Sequence, residues 1–326
     1  MAKGSGLSRR TLLATTGAIA AGLAAVRTSR LASAATYPTH DITWLIYQRA
    51  GGGLDLTTRA IQPFLRAAGV ATRIEYLSGA GGRIARTRLF TAEPSGYLMM
   101  TDATPSPALG EFVFEGAYKT NQFEPIFGWN HESWVLCVKK DSPIRELKDL
   151  IALSKQRPIR AATIGRGDGS HLQLVILKKS MNVNMSIAHF DGSAAAFPAL
   201  FGGHVDVAMV GPGGGQRNSD NLHFLAVFRE GGEPITLPNV PTAKALGYDV
   251  PSIDQVWYAT TTPAVPKDRV EFLRQAFDKA LSEENLVTMR KQSGHPGMTR
   301  LPPDKLAALL EASNRLVLQY KDDLKD

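Results

Sequence analysis

Short apolar runs alternate with longer amphipathic stretches along most of the chain. The runs are six or seven residues long, as in ITWLIY (42–47) and WVLCVKK (134–140). Such runs favour buried strands, and the stretches between them carry apolar residues at helical spacing. This rhythm is typical of a parallel sheet covered by helices. The pattern predicts an α/β protein, with strands at 42–47, 72–77, 97–102, 134–140, 159–165, 186–191, 205–211 and 223–228 and helices at 56–65, 84–90, 144–154, 171–180, 194–201, 266–281 and 302–320.

Two loop-rich stretches, at 121–129 and 231–255, interrupt this rhythm. A fresh strand–helix unit begins near Trp134 between them, and another follows the second stretch. A middle domain inserted into a discontinuous first domain explains this order, because the chain then crosses twice at a hinge. We therefore predict a first domain at 35–137 plus 256–326 and a second domain at 138–255.

The first 34 residues have the pattern of an export signal. A basic start precedes an apolar stretch at 11–26 and the small residues Ala32-Ser33-Ala34. The apolar stretch is too short to span a membrane, and the absence of a polar face argues against a surface helix. We expect a cleaved signal at 1–34 and a periplasmic protein. The residues SRRTLL at 8–13 resemble a twin-arginine motif, and a general secretory signal is the open alternative.

This segment changes the interpretation of the charge. The whole chain has a sequence pI of about 9.5. The segment 1–34 holds five of the 37 basic residues and none of the 30 acidic ones, so 32 basic and 30 acidic residues remain and the net charge is +2. A nucleic-acid or anionic-membrane partner therefore has no electrostatic support.

The residues that usually carry catalysis form no pattern. Cys137 is the only cysteine and lies in an apolar run, which favours a buried, unreactive thiol. The seven histidines show no metal-ligand spacing, and no Gly-x-Ser-x-Gly motif occurs. We expect no cofactor, no metal and no enzymatic activity.

Four glycine-rich loops each join a predicted strand to a predicted helix. Glycine lets the backbone approach a ligand closely, and the N–H groups of a helix's first turn favour an anion. The first loop lacks the lysine of a phosphate-binding loop and the spacing of a dinucleotide-binding loop. Ligands of open α/β sheets bind at the carboxyl ends of strands, so together the loops predict a ligand cleft, although each could be a plain turn. They are AGGGLD (50–55), SGAGG (78–82), GRGDGSH (165–171) and HFDGS (189–193).

The same loops resemble a known family. The chain is similar to the periplasmic solute-binding proteins of tripartite tricarboxylate transporters, the Bug family. The resemblance follows family order and covers nearly all of the chain after residue 34. It rests on AGGGLDLTTR (50–59), SGAGGRIA (78–85), PSGYLM (94–99), FEPIFGW (123–129), GRGDGSHL (165–172), HFDGSAAAFPALFGGHVDVAM (189–209), LHFLAV (222–227) and LPNVPTAKALGY (237–248).

The resemblance implies a type II-like periplasmic-binding-protein fold, in which two α/β domains joined by a hinge close on a small carboxylate. In that family the first two loops hold one carboxylate through backbone N–H groups and ordered waters, and loops of the second domain contact the rest of the ligand. By position, the ligand-binding residues are Ala50, Gly51, Gly52, Gly79 and Ala80 in the first domain and Gly167, Ser170, His171, Phe190 and Gly192 in the second.

The chain departs from the family where ligand identity is set. Gln48-Arg49-Ala50 replaces the usual prolines, so we include Arg49 in the predicted site and expect altered ligand preference there. Arg166 is either a bidentate partner of a second carboxylate or a solvated side chain. Asp191 is either a helix cap or a partner of a ligand ammonium or of Arg166. Trp257 is expected to pack, with stacking on an aromatic acid as the alternative.

We therefore expect a monomeric periplasmic protein that captures a small organic carboxylate by domain closure and delivers it to membrane permease subunits. Two alternatives stay open. The protein could deliver its ligand to a signalling receptor, or it could be an exported α/β enzyme that acts on a carboxylate.

Overall fold

The computed structural model describes residues 37–113, 118–229, 237 and 239–324. The chain divides into two compact units, Met1–Thr39 and His40–Asp326. Only residues 37–39 of the first unit are described, and they form no helix or strand. The predicted export signal at 1–34 lies outside the described residues. All helices and strands below belong to the second unit.

The first sheet has six strands in the order β11-β4-β10-β3-β1-β2. Strand β1 pairs in parallel with β2 and β3, whereas β10 runs antiparallel between β3 and β4. Trp44, Trp129 and Phe277 pack their rings together in the core beneath it. The strands are β1 (Ile42–Ile46), β2 (Thr72–Tyr76), β3 (Leu98–Ala103), β4 (Glu124–Glu132), β10 (Gln255–Thr261) and β11 (Met298–Leu301).

The second sheet has five strands in the order β7-β6-β8-β5-β9. Strand β6 pairs in parallel with β7 and β8, and β5 runs antiparallel to β8 and β9. The strands are β5 (Trp134–Lys139), β6 (Ile159–Thr163), β7 (Met185–His189), β8 (Val207–Val210) and β9 (Leu222–Phe228).

Ten α-helices are described, and none of them is both long enough and apolar enough to cross a membrane. Six belong to the segments of the first sheet and four to the segment of the second sheet. The helices are α1 (Gly53–Ala67), α2 (Arg83–Thr91), α3 (Ser106–Val113), α4 (Leu147–Ser154), α5 (Gly169–Ser180), α6 (Ser193–Phe201), α7 (Pro212–Arg217), α8 (Lys267–Ala280), α9 (Glu283–Ser293) and α10 (Pro303–Tyr320).

The chain passes from the first sheet to the second between Glu132 and Trp134, and it returns between β9 and β10. Helix α10 contacts both cores, since Leu306 packs with β10 residues and Val317 belongs to the core of the second sheet. The domain limits 35–137, 138–255 and 256–326 stay a prediction. Residue 137 itself lies inside β5 of the second sheet.

The eight predicted strands and seven predicted helices are all present, with ends shifted by a few residues. The prediction of a loop-rich stretch at 121–129 is wrong, because Glu124–Glu132 forms β4. Pro125 and Gly128 disfavour a strand locally. Pairing with β10 on one side and β11 on the other outweighs that preference. Helices α3, α7 and α9 and strand β11 lacked a clear pattern in the sequence.

Candidate functional site

The first glycine loop joins β1 to α1, and its anion-binding capacity is partly used within the protein. The backbone N–H of Gly51 donates to Asp55 Oδ2 at 2.8 Å, and the Asp55 carboxylate is buried. Asp55 Oδ1 accepts hydrogen bonds from Arg59 Nε at 2.8 Å and from the Tyr76 hydroxyl at 2.5 Å. After Gly52, by contrast, the N–H groups in the first turn of α1 have no acceptor within the helix, so they can bind an anion.

The second glycine loop lies between β2 and α2, and the Arg86 side chain anchors it by a hydrogen bond. Residues 79–82 all have positive φ, including Ala80 at +48°. Arg86 donates to the Gly81 carbonyl at 2.8 Å and forms a bidentate pair with Asp102 at 2.6 and 2.8 Å. Its guanidinium also stacks over the Tyr47 ring at 4.8 Å. This buried ion pair fixes the loop against β1 and β3.

Tyr47 closes the space under this loop. A Cβ atom on Gly82 would lie 2.8 Å from the Tyr47 ring, so no other residue type fits there without movement. Burial raises the pKa of the Tyr47 phenol well above its usual range, which keeps the hydroxyl neutral.

The third glycine loop joins β6 to α5, and its own polar side chains hold its conformation through hydrogen bonds. Asp168 Oδ1 accepts from the His171 N–H at 3.0 Å and from the Ser170 hydroxyl at 2.7 Å. Ser170 Oγ accepts from the Ile164 N–H at 2.9 Å, and His171 Nδ1 accepts from the Gly167 N–H at 3.3 Å. Ser170 and His171 are buried, so in this conformation both side chains shape the loop.

Burial also sets the charges in this loop. It lowers the pKa of His171 to about 3, and His189 and Arg166 add to the effect, so the imidazole is neutral. It raises the pKa of Asp168 to about 7, although the hydrogen bonds from Ser170 and His171 act in the opposite direction. Arg166 itself is exposed, and Gly167 has a φ of +70°.

The fourth glycine loop meets the first. Asp191 Oδ2 lies 3.8 Å from the Arg49 guanidinium, and both side chains are exposed. A Cβ atom on Gly192 would lie 3.9 Å from Gln48 Oε1. Phe190 is partly buried against the core of the second sheet. Asp191 thus pairs with Arg49, an option the sequence did not suggest, and such exposed pairs stabilise little and are screened by salt.

A narrow cavity lies beside the first, third and fourth loops, with residues from both sheets' segments in its wall. Its volume is about 20 Å³, which is space for one or two small polar groups. Of the thirteen predicted site residues, all of which are described, none lines this cavity, but several of their direct neighbours do. Whether the predicted residues contact a ligand stays a prediction. The wall consists of Gln48, Gly53, Leu54, Glu132, Ile164, Ser193, Gly211, Gly214, Arg217, Gln255, Trp257 and His295.

A polar chain crosses this cavity from one sheet's segment to the other. Arg217 NH1 lies 2.6 Å from His295 Nε2. Since a guanidinium only donates, Nε2 accepts, and the ring proton sits on Nδ1. Nδ1 lies 3.6 Å from Glu132 Oε1, which is an ion-pair distance but too long for a hydrogen bond. The side chain of Glu132 has no exposed surface.

Close backbone approach explains the glycine at position 213. A Cβ atom on Gly213 would lie 2.2 Å from His295 Nδ1, so α7 packs against the ring only because residue 213 is glycine. Gly53 at the start of α1 is similarly close to Trp257 and His295. Trp257 lines the cavity and meets His295 edge-on at 5.1 Å.

Sequence reasoning missed Glu132, Arg217 and His295. These residues lie in three distant segments, and none belongs to a local motif. One signal was available, because Asn130-His131-Glu132 places polar residues at the end of an apolar strand. Buried polar residues are informative, since burial without partners is costly.

Cys137 is buried, as predicted, and burial raises the pKa of its thiol to about 12, which leaves it protonated and unreactive. In residues 37–113, 118–229, 237 and 239–324, no three His, Cys, Asp or Glu residues are placed to hold a metal ion.

Several known proteins are similar to this chain in sequence or in fold. A UPF0065 protein encoded in the tcbD–tcbE intergenic region of Pseudomonas sp. strain P51 is 25% identical over 327 residues, covering 97% of this chain and 95% of the relative. The periplasmic binding protein BugD matches with a TM-score of 0.77 and 24% identity, covering 87% of this chain and 98% of BugD. MatC from Rhodopseudomonas palustris, solved with bound malate, matches with a TM-score of 0.79 and 21% identity, covering 88% of this chain and all (100%) of MatC.

These structures confirm the predicted fold class, an α/β periplasmic-binding-protein fold with two domains. The family model described as "tripartite tricarboxylate transporter family receptor" (TctC) matches residues 64–299, well over half of the chain. The chain therefore belongs to the TctC family of solute-binding proteins, which the Bug-family resemblance predicted.

Proposed function

We propose that this protein captures a small organic carboxylate in the cleft between the two sheets and delivers it to the membrane permease of a tripartite tricarboxylate-type transporter. The observation that carries the proposal is the convergence of the first, third and fourth glycine loops on one polar cavity, through Gly53, Ile164 and Ser193. Membership of the TctC family and the malate in MatC support a carboxylate as the solute. We also propose that the mature protein is a monomer in the periplasm.

The cleft must open to admit a ligand. The cavity volume of about 20 Å³ is far below that of a four-carbon diacid, and two pairs of side chains cross the cleft. These are Arg217 with His295 and Arg49 with Asp191. A ligand that bridges the two sides stabilises the closed state more than the open one, and this difference in free energy drives closure.

Arg217 is the cation best placed to hold a ligand carboxylate. It lines the cavity and contacts His295 through only one of its terminal nitrogens. Burial lowers its pKa somewhat, but a guanidinium stays charged at neutral pH, and its planar donors suit a carboxylate. We propose that Arg217 and the first-turn N–H groups of α1 share the carboxylate, with the thirteen residues predicted from sequence around them.

A calorimetric and thermal-shift screen of the full chain tests this proposal. Mono- and dicarboxylates, amino acids and aromatic acids are compared with uncharged amides of the same size. A true ligand stabilises the protein by about 2.7 kcal/mol at a hundredfold excess over its Kd. We expect Arg217→Ala to weaken binding of the best ligand by tenfold or more, because a charge-assisted bidentate contact is lost.

Arg166→Ala is the matched control, since Arg166 is an exposed arginine of the third loop. A loss of affinity equal to that of Arg217→Ala would show that Arg166 contacts the carboxylate directly, as the alternative from the sequence has it. Failure of every carboxylate to bind, or turnover of a bound one, would contradict the proposal. Loss of uptake of the identified ligand in cells that lack the chain tests the permease partner.

A further inference from the structure

Two polar side chains at the wall of the cavity, Glu132 and Gln255, and the nearby Asn130 are buried and have polar atoms without hydrogen-bond partners. The Glu132 side chain has no exposed surface, Asn130 is fully buried, and Gln255 is 4% exposed. Among the described residues, neither carboxylate oxygen of Glu132 has a partner. The same holds for Gln255 Oε1 and for both amide atoms of Asn130. Buried polar atoms are nearly always paired in native proteins, so such a group calls for an explanation.

The unpartnered oxygens lie close to one another. Glu132 Oε2 and Gln255 Oε1 are each 3.5 Å from the position that a Cβ atom on Gly211 would take. Glu132 Oε1 and Asn130 Oδ1 lie 2.9 and 3.4 Å from the corresponding position at Gly297. Strands β4 and β10 therefore present a group of oxygen atoms without hydrogen-bond partners, two of which belong to a carboxyl group, next to the cavity.

Among the described residues, no Lys or Arg side chain forms a direct ion pair with Glu132, and Arg217, in the same cavity wall, acts on it only electrostatically at longer range. His295 Nδ1 is 3.6 Å away, and the ring's other nitrogen accepts from Arg217, so the ring faces Glu132 as a neutral donor. An ionised carboxylate buried in this way is strongly disfavoured unless an opposite charge completes it. Ligand binding is the event that can bring such a charge into the cleft.

On the basis of the proposed function, we infer that the ligand carries an ammonium group, which Glu132 and Gln255 receive, beside the carboxylate that Arg217 holds. The solute would then be an amino-acid-type zwitterion. A cavity of about 20 Å³ has space for an ammonium group. An ammonium offers three donors and a full charge, whereas the hydroxyl of a hydroxy acid offers one donor and no charge. Glycine at 297 lets the backbone pack closely against Glu132, since a Cβ atom there would lie 2.9 Å from Glu132 Cγ.

Compounds that share a carbon skeleton test this inference by isothermal titration of the full chain. The series are succinate, L-malate and L-aspartate; glutarate and L-glutamate; and propionate and L-alanine. We expect the amine-bearing member of at least one series to bind at least tenfold more tightly than its counterpart without nitrogen. Glu132→Gln, which keeps the shape and removes the charge, should reduce this preference by tenfold or more and leave the affinity for the compound without nitrogen within threefold.

Glu124→Gln is the matched control, because Glu124 lies on the same strand but pairs with Arg274 outside the cavity. It should keep the preference. Gln255→Met provides a second variant, which should weaken the preference without changing Glu132. Both variants are checked for folding by their thermal transitions.

The outcomes separate the two proposals. If a carboxylate without nitrogen binds as tightly as its amine-bearing counterpart in every series, or if Glu132→Gln keeps the preference, the ammonium site is refuted and the carboxylate function stands. If no compound of either kind binds, the proposed function and the ammonium site fall together.

Discussion

Replacement of Gly213 by alanine tests whether the cleft works by closing. Gly213 lies on α7 beside the second sheet, and His295 follows α9 beside the first, so their contact crosses the cleft. The added Cβ atom would lie 2.2 Å from His295 Nδ1 and 2.5 Å from Cε1. Ordinary contact distances are about 3.5–4.0 Å, so α7 and the ring must separate by more than about 1 Å.

The ring has little room to yield. His295 is 2% exposed and is held by Arg217 on one side and Trp257 on another. Overpacking of this kind costs about 1–3 kcal/mol. Because the clash exists only when the two sides are together, the cost falls on the closed state. We expect a loss of ligand affinity of about 5- to 150-fold, with a nearly unchanged thermal transition in the absence of ligand.

Gly214→Ala is the matched control on the same helix. Its Cβ atom would meet Ser193 Oγ at 3.5 Å, an ordinary contact within the second sheet's segment. Isothermal titration with the best carboxylate measures the affinity of both variants, and we expect a loss for Gly213→Ala but not for Gly214→Ala. The reasoning would be refuted if Gly213→Ala bound ligand within twofold of the wild type, or if both variants lost affinity equally.

Four further predictions follow from particular residues. Arg86→Met should lower the free energy of unfolding by about 3–5 kcal/mol in a denaturant titration, because it leaves Asp102 buried and unpaired. Arg88→Met, which breaks the exposed pair with Glu75, should lower the free energy of unfolding by less than about 1 kcal/mol. Glu132→Gln should raise the free energy of unfolding of the ligand-free protein by about 1–3 kcal/mol, since an amide of the same shape costs less to bury than a carboxyl group without hydrogen-bond partners, and a decrease would count against that view. The pKa of Asp168 is raised to about 7, so between about pH 4 and pH 7 the folded state keeps a proton that the unfolded chain has released. The free energy of unfolding, relative to that of Asp168→Asn, should therefore fall as the pH rises from about 4 to 7, by up to about 1.4 kcal/mol per pH unit. Equal pH profiles of the two proteins would refute this prediction. Mass spectrometry of the exported protein should find an N-terminus at Ala35, and lysine at positions 9 and 10 should block export if the signal is of the twin-arginine type; an intact Met1 would exclude cleavage.

The elements that follow strong local patterns were predictable. Runs such as 134–140 are apolar over their whole length, and α10 carries apolar residues at helical spacing, so propensity and tertiary packing agree. Strand β4 was missed because its register depends on pairing with β10 and β11, which are distant in sequence. A single sequence contains no direct signal for such pairing.

The residues of the candidate site likewise fall into a group that local patterns predict and a group that only tertiary structure brings together. The four glycine loops could be found because each is a local strand–turn–helix signal. The hydrogen bond from the Gly51 N–H to Asp55 uses part of the first loop's anion-binding capacity within the protein, and the sequence analysis did not predict it. The pairing of Arg217 with His295 and the burial of Glu132 could not be predicted, because tertiary structure alone brings those residues together.

The most direct test of the account is a distance measurement across the cleft. Spin labels at cysteines replacing exposed Arg66 and Lys155 report on the two sides, and the buried Cys137 should not react. We expect a saturating carboxylate to shorten and narrow the distance distribution in the wild type, and Gly213→Ala to prevent the full change. A distribution that stays the same in the presence of every carboxylate would contradict capture by closure.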